Sequence, residues 1–305
     1  MDNFAAEWKK RLRVPENYLF RKSLELIGKY EFERFDAELY LQANGPGTVQ
    51  RLLKLFPKSF TDRLPAVAVP FYFPEAMIGF ELETRENLPK YAGITMMADL
   101  AERGFITASA DAYHLTYLKS DLPRESWDRW GNSGEALLRD HPEWCGIGKL
   151  AADTMLVVEA LADDPRVNPD RIGIAGHSLG GKMAFYCGCL DPRVKAILAS
   201  DFGIGWDQTN WNDVWYWGSR VDELKKLGMD HSQLLGMSGG KPFFLLAGHY
   251  DNEESRRIML RAEGYGSHPE YLGFLNHASG HRPPADALEQ GYRFLERHLK
   301  RNMPA

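Results

Sequence analysis

A serine between two glycines is the residue of this sequence best suited to covalent chemistry. The segment Gly176-His177-Ser178-Leu179-Gly180 fits the pattern G-x-S-x-G and directly follows the apolar run 172–175. A serine on a sharp turn between a strand and a helix exposes its hydroxyl, and the small residues on either side allow the two chain segments to approach. The pattern therefore predicts that Ser178 is a nucleophile. The backbone N–H of Leu179, at the start of the following helix, would face the oxyanion that forms when a carbonyl is attacked.

A serine hydroxyl needs a base, and a loop near the C-terminus offers two histidines. His277 and His281 follow the last predicted strand. We assign His281 as the general base because it precedes a helix that begins with prolines. His277 adjoins the strand and is interpreted as a hydrogen-bonded packing residue, as is His177 beside the serine. Four-residue spacing of histidines suggests a metal pair only on a helix, and no H-E-x-x-H or C-x-x-C pattern is present, so no metal is expected.

Two aspartates could supply the carboxylate that orients the histidine. Asp201 follows a predicted strand that ends at residue 199, and Asp251 follows one that ends at residue 247. Because the carboxyl ends of parallel strands meet at one rim of a sheet, position alone does not decide between them. The turn at residues 248–250 could lift the side chain of Asp251 above the rim. Asp201 opens a Phe-Gly turn, where an aspartate is readily explained as a local cap.

The elements that must position these residues alternate between short apolar runs and segments of helical period. This alternation predicts an α/β fold with a mostly parallel central sheet flanked by helices. The predicted strands are residues 66–69, 105–110, 171–175, 195–199, 242–247 and 271–275. The predicted helices are an N-terminal lead-in from residue 4 to about residue 30, then 91–102, 149–162 and a closing helix after Pro283 and Pro284.

We expect one domain over residues 1–305, with the N-terminal helix and the first strands in residues 1–60. Residues 112–148 and 202–237 fit no tight connection and are predicted to be insertions over the rim of the sheet. The second insertion is rich in aromatic residues and contains Trp206, Trp211, Trp215, Tyr216 and Trp217. These side chains could line a substrate pocket or pack the insertion onto the sheet, and the sequence leaves both interpretations open.

Composition narrows the classes of partner. Hydrophobic residues make up 44% of the 305 residues and charged residues 26%, as in ordinary globular proteins. The net charge of −5 leaves no basic surplus for nucleic acid. No apolar run is long enough to cross a bilayer, and the charged N-terminus does not resemble a signal peptide. The three cysteines are too few for a disulfide scaffold. We therefore expect a cytoplasmic protein without a membrane or nucleic-acid partner.

Residues 167–186 resemble the α/β-hydrolase superfamily, in particular its dienelactone-hydrolase-like and acetyl-xylan-esterase-like branch. The similarity extends to residues 243–251 and 276–281. It implies the α/β-hydrolase fold and matches Ser178 to the nucleophile, Asp251 to the acid and His281 to the base, with no cofactor. True dienelactone hydrolases have a cysteine nucleophile, so the serine of this chain favours ester hydrolysis.

The second oxyanion donor departs from the pattern of many relatives, which have His-Gly after the third strand. This chain has Pro70-Phe71-Tyr72-Phe73-Pro74 at that place. Only a backbone amide is required for the role, so we expect the N–H of Phe71, Tyr72 or Phe73 to serve, and Tyr72 represents this stretch.

These observations predict a serine esterase that cleaves a small carboxylic ester, with a short acyl or acetyl group, through an acyl-enzyme intermediate. A serine peptidase is the first alternative, although no propeller or gating domain is evident. A non-catalytic binding protein with a hydrolase fold is the second, although candidates for all three catalytic residues are present. No catalytic role is assigned to Lys182. The sequence leaves open the natural substrate and whether the chain forms a homo-oligomer.

Overall fold

A nine-stranded sheet forms the centre of the computed structural model, which describes residues 2–12, 20–58, 60 and 62–300. The strands are β1 (Leu24–Glu31), β2 (Phe35–Gly45), β3 (Thr48–Pro57), β4 (Leu64–Ala68), β5 (Ile106–Ala110), β6 (Val167–His177), β7 (Val194–Ser200), β8 (Phe243–Ala247) and β9 (Leu272–Asn276). Their order across the sheet is β1-β2-β3-β5-β4-β6-β7-β8-β9.

The sheet has an antiparallel part and a parallel part. The first three strands form an antiparallel meander, and β3 pairs antiparallel with β5. From β5 to β9 every neighbouring pair is parallel. The central strands β4, β5 and β7 are apolar along most of their length and almost wholly buried, as expected for strands covered by helices on both faces. Because the strands from β5 to β9 are parallel, their carboxyl ends lie at one rim of the sheet.

Eleven α-helices occur in the described part of the chain. They are α1 (Asp2–Leu12), α2 (Pro74–Ile78), α3 (Met96–Glu102), α4 (Tyr113–Thr116), α5 (Trp127–Asp140), α6 (Gly146–Ala162), α7 (Leu179–Leu190), α8 (Val221–Lys226), α9 (His231–Gly236), α10 (Glu253–Arg261) and α11 (Ala285–Leu299). Helices α6 and α7 pack against each other and on the central strands, while α11 contacts β6, β7 and β8. None of the described helices is long and apolar enough to cross a bilayer. The three cysteines are buried thiols.

The predicted strands after residue 62 all occur, but two helix predictions were wrong in extent. The N-terminal helix ends at Leu12, and residues 24–31 form β1 instead of continuing it. Gly28 and the alternation of Leu24, Glu25 and Leu26 suit an edge strand better than a helix. The part of that prediction at residues 13–19 lies outside the described residues. Helix α3 begins at Met96 rather than at Tyr91, because Gly93 with φ +82° interrupts the segment.

Candidate active site

Ser178 occupies a strained turn between β6 and α7. Its φ of 56° and ψ of −118° lie outside the regions that residues with a side chain normally adopt. The flanking glycines make this turn sterically feasible: a Cβ on Gly176 would clash with the carbonyl of Gly180, and a Cβ on Gly180 would clash with the carbonyl of Pro70. The Ser178 amide is fixed by a 2.8 Å hydrogen bond to the Ser200 carbonyl. The strand, turn and helix predicted from the motif are confirmed.

His281 lies beside this turn and is oriented by Asp201. Its Nδ1 donates a 2.7 Å hydrogen bond to Oδ2 of Asp201. The aspartate side chain is completely buried, whereas 35% of the histidine side chain is exposed. Since Nδ1 carries the proton shared with the carboxylate, Nε2 is left as the basic nitrogen. Both residues line the same cavity as Ser178.

Backbone amides hold the Asp201 carboxylate in place. The N–H groups of Gly248, His249, Tyr250 and Asp251, in the loop after β8, donate to its two oxygens over 2.9–3.1 Å. Burial opposes ionisation of this carboxyl group, but the hydrogen bonds from His281 and from the loop amides outweigh it and lower the pKa of Asp201. Asp201 is thus built to carry a negative charge beside the imidazole.

Asp251 was predicted to be the partner of His281, and the structure shows that this prediction was wrong. Its carboxylate points back toward β7, where it accepts hydrogen bonds of 2.8–2.9 Å from the amides of Phe202, Gly203 and Ile204. A fourth hydrogen bond comes from the hydroxyl of Ser255 on α10. Burial raises the pKa of Asp251 to about 6, against these donors. The turn at residues 248–250 brings amides to Asp201 instead of lifting Asp251 above the rim.

The two histidines interpreted from the sequence as packing residues, His177 and His277, have packing positions. His177 is buried, and its Nδ1 lies 3.1 Å from the hydroxyl of Ser200. Burial and the neighbouring His281 lower the pKa of His177 to about 3, so this ring stays neutral. The ring of His277 packs against Gly248, and its Nδ1 accepts a 3.2 Å hydrogen bond from the Ser279 amide. Both interpretations made from the sequence agree with these contacts.

The loop from Pro70 to Phe73, between β4 and α2, faces the first turn of α7 and has a buried ionic support. Arg51 on β3 binds Glu75 at 2.6 Å and Asp111 at 2.9 Å, and both carboxylates are more than nine-tenths buried. The carbonyl of Tyr72 accepts a 2.9 Å hydrogen bond from the Ala112 amide, just after Asp111. This network, which the sequence did not reveal, fixes the loop that would supply an oxyanion donor beside the N–H of Leu179.

A cavity of about 330 Å³ opens above Ser178. It is lined by Tyr72, Trp127, Ser178, Lys182, Asp201, Phe202, Thr209, Asn210, Tyr216, Tyr250 and His281. Side chains from both insertions therefore contribute to its wall. The lining combines polar groups with aromatic rings, which suits a ligand with both hydroxyl groups and apolar surface.

Most of the aromatic insertion packs as a core rather than as a pocket wall. The rings of Trp206, Trp211 and Trp217 surround the buried imidazole of His231 or contact one another at centroid distances of 4.1–6.2 Å. Trp8 of α1 joins this cluster through Trp206 and Trp217. Tyr216 alone of the five aromatic residues singled out from the sequence lines the cavity. The question left open by the sequence is thus answered mainly in favour of packing.

Lys182 is a functional candidate that the sequence interpretation passed over. It lies one helical turn after Ser178 and is 3% exposed. Its Nζ donates a 2.8 Å hydrogen bond to Asn210 and lies 4.5 Å and 4.3 Å from the ring centres of Trp211 and Tyr216. Burial lowers the pKa of Lys182 to about 7. The four-residue spacing from the nucleophile on a predicted helix is the signal that could have indicated it.

No group of three or more metal-ligating side chains occurs among the described residues. The site brings together a serine, an imidazole, a carboxylate and a lysine. A carboxylate–imidazole pair beside a strained serine can activate the hydroxyl for attack on a carbonyl carbon.

Comparisons with known proteins find proteins that are named as esterases. The model of the family described as acetyl xylan esterase matches residues 148–202, a range that includes Ser178 and Asp201. Among curated proteins, 4-O-methyl-glucuronoyl methylesterase 1 from Sodiomyces alcalophilus is 24% identical over 115 residues, which is 30% of this chain and 23% of that protein. The chain thus matches about a quarter of the length of this relative.

Solved structures match over nearly the whole chain. A glucuronoyl esterase from Solibacter usitatus superposes with a TM-score of 0.71 at 13% identity, over 97% of this chain and 91% of that one. An acetyl xylan esterase from Paenibacillus sp. R4 gives a TM-score of 0.63 at 15% identity, over 98% and 95%. The α/β-hydrolase fold and the similarity to acetyl xylan esterases are thereby confirmed. The similarity to dienelactone hydrolases stays a prediction.

Proposed function

We propose that the protein is a carboxylic ester hydrolase that acts through an acyl-enzyme formed on Ser178. The observation that carries the proposal is the hydrogen bond from His281 to the buried Asp201, at the mouth of the cavity into which the strained Ser178 opens. Such an arrangement has little structural purpose but a clear chemical one, because strain of this kind persists where function requires it.

In the first half of the reaction, the Ser178 hydroxyl oxygen attacks the ester carbonyl while its proton passes to Nε2 of His281. Asp201 remains ionised, keeps the imidazole in the required tautomer and stabilises the imidazolium. The N–H of Leu179 and one amide of the Phe71–Phe73 stretch hold the oxyanion. The C–O bond to the alcohol then breaks, and His281 returns the proton to the departing oxygen.

In the second half, His281 removes a proton from water, whose oxygen attacks the acyl carbon. The bond to Ser178 breaks, the serine recovers its proton from the imidazolium, and the carboxylic acid leaves. No group beyond these residues and water enters the balance.

The polar wall of the cavity supports a substrate that carries hydroxyl groups. Lys182, Thr209 and Asn210 form a connected donor and acceptor set on the side of the cavity contributed by α7 and the aromatic insertion. A purely aliphatic acyl chain would displace water from these groups without offering them a hydrogen-bond partner, at a cost in free energy. An ester of a carbohydrate, whether an acetylated sugar or the methyl ester of a sugar acid, would satisfy them. Both kinds of ester occur in the names of the matched proteins, which are acetyl xylan esterase and 4-O-methyl-glucuronoyl methylesterase.

Covalent labelling with a fluorophosphonate probe tests the reaction. We expect the wild type to gain the mass of one phosphonyl group, with the adduct on the peptide that contains Ser178, and we expect Ser178→Ala to gain none. Hydrolysis of acetylated xylo-oligosaccharide, methyl glucuronate and p-nitrophenyl acetate is measured beside a dipeptide amide. An unlabelled wild type, or cleavage of the amide alone, would exclude the proposed function.

A further inference from the structure

Trp127 is exposed at the edge of the catalytic cavity. With 59% of its surface accessible, it is the most exposed large hydrophobic residue in the described part of the chain, and it lines the cavity together with Ser178 and His281. Large apolar side chains left in water beside a cavity commonly mark a binding surface.

The indole of Trp127 packs against two other indole rings. Its ring lies 5.5 Å from that of Trp215 in an edge-on contact and 5.7 Å from that of Trp130. Trp130 in turn stacks on Tyr72 at 4.6 Å, with an angle of 21° between the ring planes. Tyr72, Trp130, Trp127 and Trp215 thus form a continuous aromatic cluster, of which Tyr72 and Trp127 line the cavity. A ring packed in this way loses little conformational entropy when a ligand packs on it.

The chain before α5 reinforces this position. The N–H of the Trp130 indole donates a 2.7 Å hydrogen bond to the carbonyl of Arg124. The guanidinium of Arg129 donates to the carbonyls of Leu115 and Leu122 over 2.7 Å and 2.9 Å. The segment that carries Trp127 is therefore tied to the α4 region before any substrate arrives.

We propose that Trp127 is a stacking platform for a pyranose ring of the substrate, at the mouth of the cavity. This inference rests on the proposed ester hydrolase function and names a residue that selects the substrate. The C–H face of a sugar packs on an indole ring, while its hydroxyl groups reach outward at the ring edge. In the same cavity, Lys182 and Asn210 offer polar partners to such hydroxyl groups. A simple aryl ring would use the indole face but not these polar groups.

Binding measured apart from catalysis tests the platform. Xylobiose, which has no ester to cleave, is titrated by saturation-transfer NMR against the wild type, Trp127→Phe, Trp127→Ala and the control Leu122→Ala. Leu122 is 39% exposed in the same insertion but does not line the cavity. We expect the dissociation constant to rise about fivefold to tenfold in Trp127→Ala, the effect of losing roughly 1–1.4 kcal/mol of ring contact. Trp127→Phe should retain most of the affinity, and Leu122→Ala all of it.

Benzyl alcohol serves as the aryl probe in the same titrations. A wild type that binds no xylobiose, or a Trp127→Ala variant that binds it unchanged, would overturn the proposal. Binding of benzyl alcohol alone would also overturn it, in favour of an aryl subsite. Unfolding temperatures close to that of the wild type establish that each variant is folded.

Kinetics separate the two proposals. With acetylated xylobiose, Trp127→Ala should raise KM by a similar factor and change kcat little, because the indole does not touch the reacting atoms. If no variant and no wild-type protein hydrolyses any ester while xylobiose binding still depends on Trp127, the platform stands and the proposed function fails. A KM unchanged in Trp127→Ala, with active enzyme, would remove Trp127 from substrate selection.

Discussion

Asp201 and Asp251 each accept hydrogen bonds from backbone amides of the loop that carries the other. The Asp201 carboxylate accepts a 2.9 Å hydrogen bond from the backbone N–H of Asp251, and the Asp251 carboxylate accepts a 2.8 Å hydrogen bond from the N–H of Phe202, next to Asp201. The ends of β7 and β8 are thus cross-linked by two buried carboxylates. Only Asp201 has an oxygen in contact with His281. One aspartate orients the base, and the other fixes the loop that carries the first.

Exchanging each aspartate for asparagine separates these two roles. In Asp201→Asn the amide NH₂ would face Nδ1 of His281 and favour the wrong tautomer, so we expect kcat to fall by about 10³–10⁴. Asp251→Asn should leave the imidazole oriented and reduce kcat far less, while it destabilises the fold because an NH₂ group replaces an oxygen that accepts backbone N–H groups. Steady-state kinetics and thermal unfolding of both variants distinguish the cases. A larger loss of kcat in Asp251→Asn, at an unchanged unfolding temperature, would contradict the assignment.

The nucleophile could be predicted from the sequence, whereas the choice between these two aspartates could not. The turn around Ser178 was predictable because a motif of five residues, the strand before it and the helix after it are all local in sequence. The acid was not, because Asp201 and Asp251 follow adjacent parallel strands whose carboxyl ends lie at the same rim of the sheet. Which carboxylate meets His281 depends on the path of the loop after β8, and four backbone amides of that loop turn toward Asp201.

The lining of the cavity was equally hard to predict from local pattern. Trp127 lies in an insertion whose position over the sheet is set by distant contacts, such as that between Trp127 and Trp215. The aromatic insertion drew attention by composition, yet most of its rings pack on His231 or on one another, away from the cavity. Lys182 differed, since its four-residue spacing from Ser178 on a predicted helix could have indicated it, although the sequence interpretation assigned it no role.

The stability cost of Asp251→Asn should depend on pH. Because burial raises the pKa of Asp251 to about 6 in the folded protein, against 3.8 for the ordinary group, the folded state binds more protons than the unfolded state between these values. The resulting stabilisation is complete below about pH 4 and is lost as the pH rises to about 6, by up to roughly 3 kcal/mol. The asparagine does not titrate, so the variant should be more strongly destabilised at pH 5 than at pH 7.5. Urea unfolding at the two pH values measures this, and an equal or opposite difference would contradict the raised pKa.

Replacing Lys182 with methionine should stabilise the fold and impair substrate binding. Burial lowers the pKa of Lys182 to about 7 from 10.5, so the unfolded chain holds one more proton between these values. Wild-type stability should therefore rise as the pH increases from about 7 to about 10, and the variant should lack this rise. Lys182→Met should unfold several degrees higher at pH 6.5, with the advantage shrinking by pH 9.5, while KM for a sugar ester increases. Lys195→Met, at an exposed position, is the control, and a less stable Lys182→Met variant at pH 6.5 would contradict the argument.

A methyl group on Gly180 tests whether the loop from Pro70 to Phe73 completes the oxyanion site. The added Cβ would meet the carbonyl of Pro70, so the loop must move away from the turn that carries Ser178. Losing one oxyanion donor reduces kcat by about 10²–10³, and we expect Gly180→Ala to approach this range with little change in KM. Gly264→Ala is the matched control, because no heavy atom lies within 4 Å of its Cβ position. If Gly180→Ala is folded and keeps the wild-type kcat, the loop holds no oxyanion donor and the second N–H must come from elsewhere.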